Sequence, residues 1–169
     1  MKKLLNLISY VLVAAIVILA IALVGVRVAG YKVFAVLSGS MEPTYPTGSL
    51  IYVKETDYRD LKTGDVITFM LNENTVVTHR IVSIVPDEND PGVLRYETKG
   101  DNNDVADGGL VHYKNVIGIP VFSIPYLGYV ASYIQHPPGT YVAISVCAVI
   151  VLLAFLPDLF EDKKTNKEE

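Results

Sequence analysis

Two apolar runs at opposite ends of the chain constrain it more than any other feature. Leu4–Val26 holds 23 residues interrupted only by Asn6, Ser9, Tyr10 and Gly25, and it follows Lys2 and Lys3. A spanning helix needs about 20 apolar residues, so this run is long enough to cross a bilayer. A basic start before an apolar run also describes a secretory signal. However, such signals have an apolar region of about 7–15 residues and a small-residue cleavage site, and Arg27-Val28-Ala29 supplies no clean small-x-small site. An uncleaved anchor over 4–26 is expected.

The second run, Tyr141–Leu156, is 16 residues rich in Val, Ile and Leu, opened by Pro137-Pro138-Gly139 and closed by Pro157. It is slightly short for a span, and the same letters suit a buried β-branched core segment or an interfacial tail. Its terminal position and the charged tail Glu161–Glu169 favour a second transmembrane helix over 139–157. Two spans put both ends on one side. Lys2, Lys3, Lys163, Lys164 and Lys167 lie on the outer flanks, whereas only Arg27 and Lys32 flank the middle. The positive-inside rule then places residues 1–3 and the tail 158–169 in the cytoplasm and residues 27–138 outside the cell membrane or on the lumenal face.

The middle segment reads as mainly β. Leu50–Val53, Val66–Leu71, Val76–Val85, Leu94–Thr98 and Val116–Val121 are β-branched or aromatic stretches divided by turn clusters such as Pro46-Thr47-Gly48, Thr63-Gly64-Asp65 and Asn72-Glu73-Asn74. Short strands at this spacing predict an antiparallel sheet folded or closed on itself. No segment within 27–138 has a sustained helical apolar period, and Tyr126, Tyr129 and Tyr133 suit a membrane interface as well as ordinary packing. The last nine residues are too polar to pack.

The middle segment carries nine Lys/Arg against thirteen Asp/Glu, which accounts for the whole net charge of −4. With no basic face, a nucleic-acid partner is not expected. The single cysteine, Cys147, allows neither an internal disulfide nor a cysteine metal cluster.

The stretch Ser38-Gly39-Ser40-Met41-Glu42-Pro43-Thr44 ends a β-type segment, Tyr31–Leu37. Pro43 blocks a helix there, so Ser40 presents its hydroxyl on a stiff turn where a nucleophile could sit, although Ser, Gly, Pro and Thr are also ordinary turn residues. A serine hydroxyl needs a base within hydrogen-bond reach. Of three histidines, only His79, in Thr78-His79-Arg80-Ile81, stands centrally in a strand-like segment; His112 and His136 read as solvent-exposed. The acidic loop from Asp101 to Asp107 fails as a calcium loop, because Ala106 and His112 fall at the sixth and twelfth positions where Gly and Glu are needed. It can instead supply a carboxylate that orients a histidine. Arg80 is expected to pair with a carboxylate or lie on the sheet surface, and Asp104 to turn the loop.

The three motifs, Ser38–Thr44, Thr78–Ile81 and Lys99-Gly100-Asp101-Asn102-Asn103 followed by Asp107, occur in an order and spacing that resembles type I signal peptidase over roughly residues 5–138. They are most similar to the branch found in archaea, the endoplasmic reticulum and some Gram-positive bacteria. The resemblance implies a membrane-anchored serine endopeptidase with a β-rich catalytic domain resting on the lipid bilayer. It would cut signal-peptide-bearing preproteins after small residues at −1 and −3. It implies Ser40 as nucleophile, His79 as general base where housekeeping bacterial members have lysine, and Asp107 as the orienting acid. Asp101 matches a supporting acid, and Ser38 an oxyanion donor beside the Ser40 backbone N–H. Catalysis of this kind calls for no metal or organic cofactor, and the protein-translocation machinery is the natural partner.

Two other readings remain open from sequence. One is a Ser-Lys peptidase with Lys54, Lys62 or Lys99 as base. The other is a membrane-anchored β domain without catalysis that binds exported proteins.

Overall fold

The computed structural model describes residues 2–87 and 90–165, with side chains described at 7–15, 17, 18, 21, 25–87 and 90–152. Of the tail expected over 158–169, residues 166–169 lie outside the described residues, as do Met1, Glu88 and Asn89.

Residues 29–132 form one compact unit built on antiparallel strands. These are β1 (Tyr31–Ala35), β2 (Leu50–Lys54), β3 (Val66–Asn72), β4 (Thr75–Pro86), β5 (Leu94–Lys99), β6 (Val111–His112) and β7 (Val116–Ile124). They pair in the order β1-β2-β7-β3-β4-β5-β6. The β-branched composition of β4 suits a pleated surface, and the tight turn that joins it to β3 is braced by Asn74 N–H donating to Asn72 Oδ1 at 3.0 Å.

In a strand, alternate side chains share a face. The register pairs Ile67 with His79 and Phe69 with Val77 across β3 and β4. Ile67, Phe69, Ile81, Tyr96 and Val111 gather with Leu61 into the buried core. Burying each large apolar side chain contributes about 1.5–3 kcal/mol. His79 stands in this row between Val77 and Ile81, opposite Ile67, and is itself buried. Met41, Leu50, Ile51 and Val53 are buried as well, outside that core cluster.

One helix departs from the sequence reading, which finds no helical period within 27–138. Helix α2 spans Leu127–Gln135. It is only nine residues, and tertiary contact holds its start: Gly128 N–H donates to Gly48 O at 2.8 Å. Gly48 has φ +83°, and a Cβ there would lie 1.9 Å from the Tyr129 ring. A local pattern cannot report a docking of this kind.

Helices α1 (Lys2–Val28) and α3 (Gly139–Thr165) pack against each other in the other unit. Thr140 Oγ1 donates to Ile134 O at 2.7 Å at the entry to α3. The helix continues through Pro157, where the sequence reading closes the run. A proline deletes one bond of the ladder without forbidding the turns on either side. Among the described residues no single helix is long and apolar enough to cross a membrane, although Leu127–Gln135 and Gly139–Leu152 pass together as a bent pair by length and composition.

Candidate active site

Ser40 sits in a single 3₁₀ turn, Gly39–Met41, entered from extended backbone at Ser38 and left through extended backbone at Glu42. Met41, 2% exposed, anchors the turn. Glu42 closes the loop behind it, its Oε1 accepting from Thr47 Oγ1 at 2.8 Å and from Thr47 N–H at 3.3 Å. These Thr47 bonds, the side-chain one foremost, hold the Glu42 carboxyl below the usual carboxylate range.

His79 Nε2 lies 3.1 Å from Ser40 Oγ, and His79 Nδ1 lies 2.6 Å from Asp107 Oδ2. The His79 side chain is 10% exposed and that of Asp107 25%. Asp107 is fixed from two further directions. Its backbone N–H donates to Thr98 O at 2.8 Å, and its Oδ2 accepts from Thr98 Oγ1 at 2.6 Å. An ionised carboxylate only accepts, so the proton of the imidazole belongs on Nδ1 and the Nε2 lone pair faces the Ser40 hydroxyl, which donates. A hydroxyl, an imidazole in this tautomer and a buried-edge carboxylate in series can move a proton off the oxygen as it attacks an acyl carbon. A cavity of about 530 Å³ with apolar walls including Phe69, Val77 and Leu110 borders the His79–Asp107 pair.

Asp101 stands outside this chain of bonds. Its carboxylate receives Arg80 Nε at 2.8 Å, Arg80 Nη2 at 2.7 Å and Thr44 Oγ1 at 2.5 Å. The reason is the pleat: His79 and Arg80 are consecutive on β4 and leave it on opposite faces, so each serves a different carboxylate. Arg80 also donates Nη1 to Gly64 O at 2.7 Å. Ser38 Oγ is 3.3 Å from Ser40 Oγ. Among the described residues the group beside Ser40 Oγ is His79 and not a lysine: Lys99 Nζ donates to Asp104 O at 3.3 Å, and Lys54 and Lys62 are exposed. His136 is exposed. His112, read as exposed from sequence, is half-buried, stacks on Tyr113 and accepts Lys114 N–H at its Nδ1.

The loop after β5 also grips the Ser40 turn directly. Asn102 N–H donates to Ser40 O at 2.9 Å, and Asn102 Nδ2 donates to Gly39 O at 3.2 Å. Gly100 allows this approach, because a Cβ there would fall 2.6 Å from Ser40 O.

Comparison with known proteins carries the site further. Residues 7–125 match the family model described as signal peptidase, peptidase S26. The chain is 45% identical over 124 residues to signal peptidase I W of Bacillus subtilis (strain 168), covering 69% of this chain and 64% of that protein. The chain belongs to the signal peptidase family, peptidase S26. It is also 32% identical over 132 residues to the signal peptidase complex catalytic subunit SEC11C of Rattus norvegicus, covering 72% of this chain and 67% of that one. The SEC11 subunit of Plasmodium falciparum is 29% identical over 132 residues, covering 73% and 70%. The match thus spans about two thirds of the length of these relatives. Ser40, His79, Asp101 and Asp107 all fall within the segment that matches the family.

Sequence reasoning about this signal peptidase family member missed Thr98, Asn102 and Glu42. Thr98 lies in a strand with nothing to distinguish it. Asn102 and Glu42 stand inside motifs singled out for other residues, and only that adjacency could have drawn attention to them.

The pairing of Asp101 has a measurable consequence. The Arg80 guanidinium above all, with the Thr44 hydroxyl adding, holds the Asp101 carboxyl below the usual aspartate range against the opposing effect of burial. A group depressed in the folded state contributes stability in full above its unfolded value, about 3.9, and loses it as pH falls through the folded value. Arg80 is about a third exposed, so solvent screens the pair and the contribution is about 1 kcal/mol. Asp101→Asn is expected to melt a few degrees below the parent at pH 7, with the gap narrowing as pH falls below about 3.9. A gap that persists unchanged at low pH would show that the charge is not its source.

Proposed function

We propose that this protein is a membrane-anchored serine endopeptidase that removes N-terminal signal peptides from exported preproteins. The observation that carries the reading is the hydrogen-bonded series from Ser40 through His79 to Asp107 in a chain of the signal peptidase family. Ser40 Oγ attacks the scissile carbonyl carbon while its proton passes to His79 Nε2. Asp107, accepting from Nδ1–H, stabilises the imidazolium. His79 then gives that proton to the leaving amine nitrogen as the C–N bond breaks, leaving an acyl ester on Ser40. A water molecule then attacks the ester carbon, losing a proton to His79, which passes it to Ser40 Oγ as the ester bond breaks and the signal peptide leaves with a free carboxyl group.

The backbone N–H of Ser40 and the hydroxyl of Ser38 are the proposed donors to the developing oxyanion. Pockets that admit only small side chains at −1 and −3 would read the shape of an extended peptide held by main-chain bonds. The proposed spans are the apolar runs Leu4–Val26, within α1, and Tyr141–Leu156, within α3. With the lysines of both ends in the cytoplasm, the β unit faces outward. Preproteins still engaged with the translocation machinery are the proposed substrates.

The test is cleavage of a preprotein carrying an Ala-x-Ala site by the full chain in detergent or lipid, with the new N-terminus read by mass spectrometry. A single cut after the second alanine is expected. A parent protein that leaves a panel of such preproteins intact in lipid would sink the reading.

A further inference from the structure

We infer that Asn102 is a positioning residue that aims the Ser40 backbone N–H at the oxyanion; the inference rests on the proposed function above and deepens it. Among the described residues outside the Ser38–Thr47 loop, Asn102 bonds the carbonyls of both Gly39 and Ser40. The donor at Gly39 O must be the amide nitrogen of Asn102, since a carbonyl oxygen only accepts.

A trans peptide unit is planar, with its C=O and N–H pointing in opposite directions. Gly39 C=O and Ser40 N–H belong to one such unit. A bond that holds Gly39 O toward Asn102 therefore directs Ser40 N–H away from it. The same reasoning applies to the next unit, where Asn102 N–H holds Ser40 O. Gly39 O also accepts Glu42 N–H at 3.1 Å, so the plane is held from inside the turn and from outside it. The outer hold is the one that links the turn to the loop carrying Asp101 and Asp107. Preorganised donors accelerate acyl transfer because they need not reorient as charge develops, and loss of a whole donor costs about 10²–10³-fold. Asn102 aims a donor that remains present, so a smaller loss follows.

The decisive variant is Asn102→Asp, which keeps the shape, keeps the backbone N–H bond and removes the amide donor. It is expected to lower kcat about 10- to 30-fold with KM unchanged and the pH profile of kcat/KM in place, because the His79–Asp107 contact is untouched. A peptide boronate provides a second readout. Its boron bonds to Ser40 Oγ as the hydroxyl proton passes to His79, and the adduct carries an oxygen in the oxyanion position. Its affinity should fall by the same factor as kcat/KM, whereas a non-covalent product peptide should bind as before. Asn102→Ala gives the same comparison should the aspartate variant fail to fold. Values of kcat within twofold of the parent in a folded variant overturn the inference, as does a loss confined to KM. Ser40→Ala is measured beside them: an active Ser40→Ala overturns the underlying reading, whereas an inactive Ser40→Ala with a normal Asn102→Asp overturns this inference alone.

Discussion

Replacing Ser40 by alanine is expected to lower kcat for preprotein cleavage by about 10⁴- to 10⁶-fold with KM little changed. Within the protein the hydroxyl contacts His79 and Ser38, and it bonds the substrate only during the reaction, so its removal leaves ground-state binding intact. The turn survives because Met41, Glu42 and Asn102 hold it without using Ser40 Oγ. His79→Ala should cost a comparable factor, since Nε2 is the acceptor 3.1 Å from that hydroxyl. The double variant should be no worse than either single one, because a nucleophile without its base and a base without its nucleophile fail in the same step. Single-turnover cleavage of a labelled preprotein, with folding followed by circular dichroism, measures all three. Additive losses would mean that the two residues act in separate steps. Retained activity in His79→Ala would reopen a lysine base.

Asp107→Asn is expected to lower kcat by about 10³- to 10⁴-fold although the new side chain has the same shape. The carboxylate oxygen that receives His79 Nδ1–H also receives Thr98 Oγ1–H. An amide there can turn its NH₂ toward Nδ1. The imidazole then carries its proton on Nε2 and presents a donor to Ser40 where an acceptor is needed. KM should stay near the parent value. The readout that separates this from loosened structure is the pH profile: partial recovery is expected at high pH, where hydroxide can replace the missing base, and a simple loss of packing would not produce it. A variant within tenfold of the parent at neutral pH would remove Asp107 from the proton path.

The candidate site was legible in sequence as a set of residues but not as an assembly. Ser40, His79 and Asp107 are each named by local chemistry, chain order and family resemblance, yet spacing alone leaves open whether Asp101 shares with Asp107 the role of facing the histidine. The pleat of β4 and the position of Thr98 separate them, sending Asp101 to Arg80 and Thr44. The antiparallel strands were legible from β-branched runs between turn clusters. Helix α2 was not, because nine residues held at Gly48 owe their structure to the partner surface rather than to their own period.

By itself, the sequence determined the β-rich character of the middle segment, the two long apolar stretches at its ends and the residue types available for acyl transfer. These follow from side-chain hydrophobicity, β-branching and the few residues that can act as nucleophile or base, all of them local properties. Only the tertiary structure decided the strand order, the partner of each carboxylate and the grip of Asn102 on the Ser40 turn. Those depend on bringing residues 40, 79 and 107, and residues 39 and 102, within hydrogen-bond distance, and separation along the chain carries no information about separation in space.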